Sequence, residues 1–395
     1  MMGDGRTTFR LGRWHVDGVL ASLGLLLLGL GLVMLASASI TIADRDLGRP
    51  FHYLLRQLLA VGLGAGLVAV AMVVPLQVWQ RLSLPLLGVA LLLLVLVLLP
   101  GLGQTVNGAT RWLRIGVINL QVSEPARLLV IMYLAGYIVR RQHELTAGLW
   151  AFVRPMLFVA IAAALMLAQP DFGAATVLVI SAVGLLFVGG ARLRDFLLCG
   201  GVSAGVLAAL AFTSPYRLSR LTGFMDPWAD PLDSGFQLTQ SLIAIGRGEW
   251  FGVGLGSSVQ KLFYLPEAHT DFVFAVLAEE LGLIGVLLTI ALFLGLVVRA
   301  FQLGLESARA QQPYAAYLAF GIGLWLGLQS FINIGVNMGL LPTKGLTLPL
   351  VSYGRSSMLV TLMALGLLLR IHHELSAAPA PGGARRQGRS RRSAE

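Results

Sequence analysis

Ten long apolar runs punctuate this chain, and none alternates apolar with polar residues at a period of two. They fall at 17–40, 52–74, 82–101, 122–139, 152–168, 173–190, 195–213, 271–298, 314–336 and 350–371. Each approaches the ~20 residues that carry a helix across ~30 Å of hydrocarbon. Lipid offers backbone polar groups no partner, so a spanning segment is a helix or belongs to a closed barrel. Unbroken apolar runs select the helix. The pattern predicts an all-α, polytopic integral membrane protein of about ten transmembrane helices, with a large extracytoplasmic loop, 214–270, between helices 7 and 8.

The first run invites a second reading. Arg6, Arg10 and Arg13 precede it and Ala36-Ser37-Ala38 follows, as in a secretory signal with its cleavage site. Its apolar core exceeds the ~7–15 residues of a signal core, and more spans follow, so an uncleaved first helix is expected.

Composition agrees with the pattern. Of 395 residues, 56% are hydrophobic and 12% charged. A soluble domain carries about 25% charge, so most of this surface faces something other than water. Lys and Arg in the short loops set the orientation. With the N-terminus inside, the cytoplasmic side receives Arg81, Arg140, Arg141, Arg154, Arg192, Arg194, Arg299 and Arg309 besides the N-terminal arginines. The short outer loops hold fewer, of which Arg45, Arg49, Arg111, Arg114 and Lys344 are the clear ones. Both termini are then cytoplasmic: a tail 1–16, a membrane domain 17–371 and a basic tail 372–395. The last part, with Arg385, Arg386, Arg389, Arg391 and Arg392, is expected to be disordered. Anionic membrane lipid would attract it by about 1 kcal/mol per basic residue, or it has no specific partner. The net charge of +10 needs no nucleic acid. Cys199 is the only cysteine, which excludes an intrachain disulfide and a cysteine metal site.

Three polar segments on the predicted outer side carry the candidate chemistry. The long loop holds Trp228, Phe236, Trp250, Phe251, Phe263 and Tyr264, too aromatic for a solvated linker, and Gly252, Gly254 and Gly256 read as turn or close-packing glycines. It ends in Glu267-Ala268-His269-Thr270-Asp271 before the eighth span. Thr270 or Asp271 could cap that helix, but a cap does not need Glu267 and His269 beside it. Glu279 and Glu280 follow about 13 Å along the helix and are expected to face a wet cavity or a partner, not lipid. The second segment runs from Asn107 and Arg111 to Glu124 and Arg127, which are three apart and can pair on one helix face. The third runs from Asn333 and Asn337 through Lys344 to Ser352, Arg355, Ser356 and Ser357. Cations and hydroxyls suit a phosphorylated, sugar-bearing ligand, and a carboxylate suits proton transfer.

These segments resemble the SEDS family of peptidoglycan glycosyltransferases over residues 17–371. The most specific matches are Pro266-Glu267-Ala268-His269-Thr270-Asp271-Phe272 with Glu279-Glu280-Leu281-Gly282, and Leu341-Pro342-Thr343-Lys344-Gly345-Leu346-Thr347-Leu348-Pro349. Asn107-Gly108-Ala109, Arg111-Trp112, Gln169-Pro170-Asp171-Phe172-Gly173 and Gly235-Phe236-Gln237 support them. Ala268 is similar to the division-type branch. Two positions depart from the family pattern: Gln121-Val122-Ser123-Glu124 has its proline displaced to 125, and Tyr353-Gly354-Arg355-Ser356-Ser357 carries an added cation.

The resemblance implies polymerisation of lipid II into β-1,4 glycan strands at the outer face of the cytoplasmic (inner) membrane, at the division septum. Undecaprenyl pyrophosphate would leave. It implies Asp271 as the base on the acceptor hydroxyl, with a helix N-terminus lowering its pKa. Arg111, Lys261, Lys344 and Arg355 are candidates for the departing pyrophosphate; Arg355 could instead pair with Glu279 or Glu280. Glu124, Glu267, His269, Thr270, Ser352, Ser356 and Ser357 complete the expected substrate site, with His269 either orienting Asp271 or packing the loop. A divalent cation, Mg or Mn, could assist, although no dedicated metal site is visible. Implied partners are a class B penicillin-binding protein (a transpeptidase) and other divisome proteins. A flippase for lipid-linked precursors and a non-catalytic scaffold are the competing classes.

Overall fold

The structure, a computed structural model, describes residues 8–11, 14–106, 108–115, 118–212, 220, 223–231, 233, 235–262 and 264–377. Arg6, Arg13, Asn107, Ser214, Phe263 and the tail from 378 onward lie outside the described residues.

The apolar runs become helices α1 (Gly18–Leu47), α2 (His52–Val73), α3 (Leu76–Leu96), α4 (Ser123–Ala147), α5 (Leu149–Ala168), α6 (Phe172–Val188) and α7 (Leu193–Phe212). The long loop contributes α8 (Phe236–Gly248), followed by α9 (Val273–Arg309), α10 (Pro313–Asn337) and α11 (Arg355–Ala377). Eight of these are long and apolar enough to cross a membrane. The exceptions are α8, the 17-residue α6, and α4, which carries several charges. Both α4 and α6 pack against α10 inside the bundle, which brings the membrane helices among the described residues to ten.

Several boundaries differ from the sequence expectation for identifiable reasons. Pro75 starts α3 at Leu76, so the polar turn of Gln77, Gln80 and Arg81 is already helical. Helix α1 continues through Ala36-Ser37-Ala38 to Leu47 and stops at Gly48, whose φ of 61° lets it close the helix by bonding back to Ala43 and Asp44. The fold is also not purely helical. A hairpin of β1 (Thr8–Leu11) and β2 (Trp14–Asp17) precedes α1. An antiparallel sheet of β3 (Gly103–Val106), β4 (Ala109–Ile115) and β5 (Ile118–Gln121) joins α3 to α4.

Successive helices reverse direction, so the bundle has two chemically distinct ends. At the terminal end, Asp17 caps α1 through Leu20 N (3.0 Å) and accepts from Arg299 Nε at 2.6 Å. Trp14 packs 4.7 Å from His373, which binds the hairpin to α11. The other end, the site end, gathers the sheet, the α5–α6 turn, the long loop and the 338–354 segment.

Helix α9 is broken at Gly282 (φ 65°, ψ −164°), and the loop after α8 fills the break. Val253 N donates to Glu279 O (2.9 Å) and Gly254 N to Glu280 O (3.2 Å), while Leu283 N and Ile284 N donate to Glu249 O and Trp250 O. Four of the backbone groups at the interruption are thereby satisfied, in keeping with a non-aqueous setting. Gly252 has φ 80°, and a Cβ there would stand 2.1 Å from Glu280 O, so close packing explains this glycine.

Candidate active site

The two carboxylates at the end of the first half of α9 hold this joint and are fully buried. Glu279 accepts from Ser258 Oγ, Val259 N (3.1 Å) and Gln260 N (3.3 Å), with Arg247 at 3.5 Å. Glu280 receives Lys261 Nζ at 2.7 Å and the Ser37 hydroxyl of α1 at 2.7 Å. Of the two expected surroundings, a wet cavity or a partner, the geometry matches a partner, which is the loop itself. Lys261 is spent on Glu280, so its charge is not presented to a ligand, and Arg355 pairs with neither carboxylate. Four of the sequence-selected residues thus serve the joint or lie apart from it.

Asp271 lies in the turn just before α9. Its backbone carbonyl accepts from Asn333 Nδ2 (2.9 Å) and Asn337 Nδ2 (3.1 Å) on α10, both buried. Asn337 Oδ1 in turn accepts from Ala275 N at 3.1 Å. The cap of α9 is consequently Asn337 from a neighbouring helix, correcting the expectation for Thr270 or Asp271. Thr270 instead donates to Glu267 Oε2 at 2.6 Å, and Glu267 is exposed with a φ of 56°.

Among the described residues the Asp271 carboxylate accepts no hydrogen bond. A Cβ on Gly345 would stand 2.8 Å from its Oδ2, so the glycine leaves the space that carboxylate uses. Burial pushes the carboxyl up to about 7, with Glu267 and Asp171 adding to the rise and Arg111 and Arg220 opposing it. The expected lowering by the helix N-terminus is overturned because desolvation outweighs the dipole and the two cations.

Two cations act on this carboxylate, Arg111 and Arg220, and Lys344 precedes the Gly345 that adjoins it. Arg111 on β4 lies 4.0 Å from Asp171 Oδ1. Asp171 caps α6 through Ala174 N (3.1 Å) and accepts from Ser123 Oγ (2.8 Å), which fixes the guanidinium's anchor. Arg220 donates to Thr343 O at 3.2 Å. Lys344 places its Nζ 4.5 Å from the centre of the Phe172 ring, and burial lowers its pKa to about 8. Among the described residues it has no carboxylate partner.

The remaining selected residues have structural partners. Glu124 pairs with Arg127, which also donates to Gln329 Oε1 (2.8 Å) beneath Trp325. Ser352 and Ser356 accept from Leu348 N and Gln121 N at 2.8 and 2.9 Å, and Ser357 meets Thr347 Oγ1 at 3.1 Å. His269 is packed between Tyr53 (4.7 Å) and Tyr353 (5.7 Å), and burial lowers its pKa. Of its two expected roles, packing matches this geometry. Sequence reasoning overlooked Arg220 as a site residue, since no local motif surrounds it. It also passed over Asp171, although the Gln-Pro-Asp-Phe-Gly match contained it. Among the described residues no three His, Cys, Asp or Glu side chains gather as metal ligands.

Fold and site together define a polytopic membrane protein that presents one carboxylate of raised pKa and several cations at one end of a ten-helix bundle. The chain belongs to the FtsW/RodA/SpoVE family of cell cycle proteins, whose model matches residues 19–377. It is 59% identical over 350 residues to a probable peptidoglycan glycosyltransferase FtsW of Thioalkalivibrio sulfidiphilus, covering 89% of this chain and 88% of that one. It is 54% identical to the Coxiella burnetii protein of the same description, covering 91% and 97%. Among solved structures it resembles a chain of a peptidoglycan synthase complex that coordinates polymerization and crosslinking. That match has a TM-score of 0.75 and 32% identity, over 92% of this chain and 99% of the other. It also resembles the rod shape determining protein RodA of Thermus thermophilus, with a TM-score of 0.66 and 31% identity, over 92% and 98%.

Proposed function

We propose that this protein is an inverting peptidoglycan glycosyltransferase that polymerises lipid II at the outer face of the cytoplasmic membrane, at the division septum, with both termini inside. The observation that carries this reading is the Asp271 carboxylate, raised to about 7 and free of internal hydrogen bonds among the described residues. The acceptor 4-hydroxyl oxygen attacks the anomeric carbon of the donor. The bond from that carbon to the pyrophosphate breaks, its electron pair stays on the pyrophosphate oxygen, and the hydroxyl proton passes to Asp271. One displacement inverts the α-linkage to β-1,4.

A base whose pKa lies near the working pH is matched to this task, and general-base catalysis contributes ~10²–10⁴ in rate. Arg111, Arg220 and Lys344 stabilise the departing pyrophosphate charge in a partly dry site. The shared location of the hairpin and the end of α11 supports the orientation, together with the arginines at that end. A class B penicillin-binding protein is the proposed partner, supported by the likeness to a chain of a synthase complex. The carboxylates that would favour a flippase, Glu279 and Glu280, are occupied by the α9 joint. The test supplies labelled lipid II to the protein purified with its cognate transpeptidase, with moenomycin present to silence polymerases of the unrelated class. Glycan polymer supports the proposal; none, alongside lipid translocation in vesicles, would turn the assignment to a flippase.

A further inference from the structure

The amide side chains Gln329, Asn333 and Asn337 stand four residues apart on α10, and all are buried. Steps of four keep them on one face of the helix. A buried amide destabilises a membrane bundle unless its hydrogen bonds are made, so its partners show what it is for. Gln329 donates to Thr347 O (2.9 Å) and accepts from Arg127 and Trp325, both at 2.8 Å. Asn337 donates to Asp271 O (3.1 Å) and Asn333 O (2.9 Å) and accepts from Ala275 N. Gln329 thus holds the 338–354 segment, and Asn337 holds the turn into α9. Asn333, between them, holds both: its Nδ2 donates to Asp271 O at 2.9 Å and to Leu346 O.

Both partners of Asn333 are carbonyl oxygens, so only the NH2 end of the amide can face them, and its two hydrogens are used. Its own Oδ1 is left buried and, among the described residues, without a partner. A buried acceptor left unsatisfied calls for a reason. The reason lies in what the two bonds join. Leu346 follows Gly345, where a Cβ would stand 2.8 Å from Asp271 Oδ2. Leu346 N also donates to Lys344 O at 3.1 Å, which turns the chain at Lys344. One amide therefore ties the backbone of the carboxylate-bearing turn to the backbone beside Lys344 and Gly345.

We propose that Asn333 is a positioning residue for the transfer reaction: by holding Asp271 O and Leu346 O together, it fixes the separation between the Asp271 carboxylate and the Lys344–Gly345 segment. The inference rests on the glycosyltransferase reading, in which Asp271 takes the acceptor proton and Lys344 serves the departing pyrophosphate. Asn333 acts only through these neighbours. In Asn333→Ala the turn keeps the Asn337 bond to Asp271 O, and Tyr353 N still donates to His269 O at 3.0 Å, so the turn loosens without being lost.

Polymerisation kinetics with labelled lipid II, measured on the complex with the transpeptidase, separate positioning from folding. Asn333→Ala is expected to lower kcat about tenfold, the scale of a sub-ångström misplacement, with KM within about twofold. Asn333→Leu, branched at the same carbon but without a donor, should do the same, and it carries the test if the alanine variant does not fold. Ser330→Ala on the same helix, whose hydroxyl donates to Leu326 O (2.8 Å), should leave both constants unchanged. The decisive measurement is a double-mutant cycle with Gly345→Ala. Alone, that methyl is expected to cost about tenfold, because the carboxylate is pinned against it. With Asn333 gone the two segments can part, and the same methyl should cost less than about twofold. A merely structural Asn333 would let the two losses multiply to about a hundredfold. Multiplied losses, or an unchanged kcat in Asn333→Ala and Asn333→Leu, would overturn the proposal. A wild type that forms no polymer removes the glycosyltransferase reading and this inference with it; an active wild type with either of those results removes the inference alone.

Discussion

Gly345→Ala tests the site geometry without touching a charged group. Gly345 is exposed, and its backbone conformation is one that alanine adopts without strain. The added methyl would stand 2.8 Å from Asp271 Oδ2, against the 3.4 Å at which ordinary contact begins. The carboxylate must therefore retreat by roughly 0.6 Å, and a displacement of ~1 Å costs about 10²-fold in rate. A loss of about tenfold in kcat is expected, with stability changed by no more than ~0.5 kcal/mol because the carboxylate end can swing aside. The assay is the initial rate of polymer formation from fluorescent lipid II, paired with thermal melting in detergent. Gly66→Ala, where nothing lies within 4 Å of the new methyl, is the control. Full activity in Gly345→Ala would refute the claim that Asp271 Oδ2 works from this position; a collapse in melting temperature would show that the space serves folding instead.

Other consequences are equally direct. Because the reactive form of Asp271 is the carboxylate and burial sets its pKa at about 7, the polymerisation rate should fall as pH drops through 7; a flat profile from about pH 6 to 8 would contradict this. The same raised pKa makes the ionised group a liability in the folded state, fully present above about pH 7 and absent below the ordinary carboxylate range. Asp271→Asn should accordingly melt higher than wild type at pH 8, by on the order of 1–2 kcal/mol after screening, with the gain fading as pH falls toward 4. Lys261→Ala strands the buried Glu280 charge and should cost ~3–5 kcal/mol, whereas Lys261→Met with Glu280→Gln should recover most of it. A raised KM in Lys261→Ala with unchanged melting would return Lys261 to the substrate site. Gly252→Ala, which drives a methyl into the Glu280 carbonyl at a positive φ, should lower folded yield sharply; normal melting would refute the joint.

The membrane helices were legible because lipid imposes a continuous apolar run, and even the charged α4 announced its Glu124–Arg127 pair by i,i+3 spacing. The turn carrying Asp271 was legible from its density of polar groups. What sequence could not show depends on residues far apart in the chain. Gly282 reads as one glycine in an apolar run, and its role as a break appears only once Glu249–Gly254 is seen to supply the missing backbone partners. Lys261 read as a free cation because nothing local reveals that Glu280 and Ser37 meet it. The cap of α9 comes from Asn337, 62 residues beyond Ala275, so a local reading assigned it to Thr270 or Asp271. The direction of the Asp271 shift was misjudged for the same reason, since burial is a property of the assembled site. The short strands β3–β5 lacked a long alternating pattern and were absorbed into a polar connection.

The account's central claim is that the Asp271 carboxylate takes the acceptor proton. Its most direct test is polymer formation by Asp271→Asn in complex with the transpeptidase, since this variant keeps the side chain's shape and removes the base. Polymer reduced by ~10²-fold or more, from a protein that melts at or above wild type, is the predicted result. Wild-type rates from Asp271→Asn would contradict the mechanism, whatever else the protein proves to polymerise.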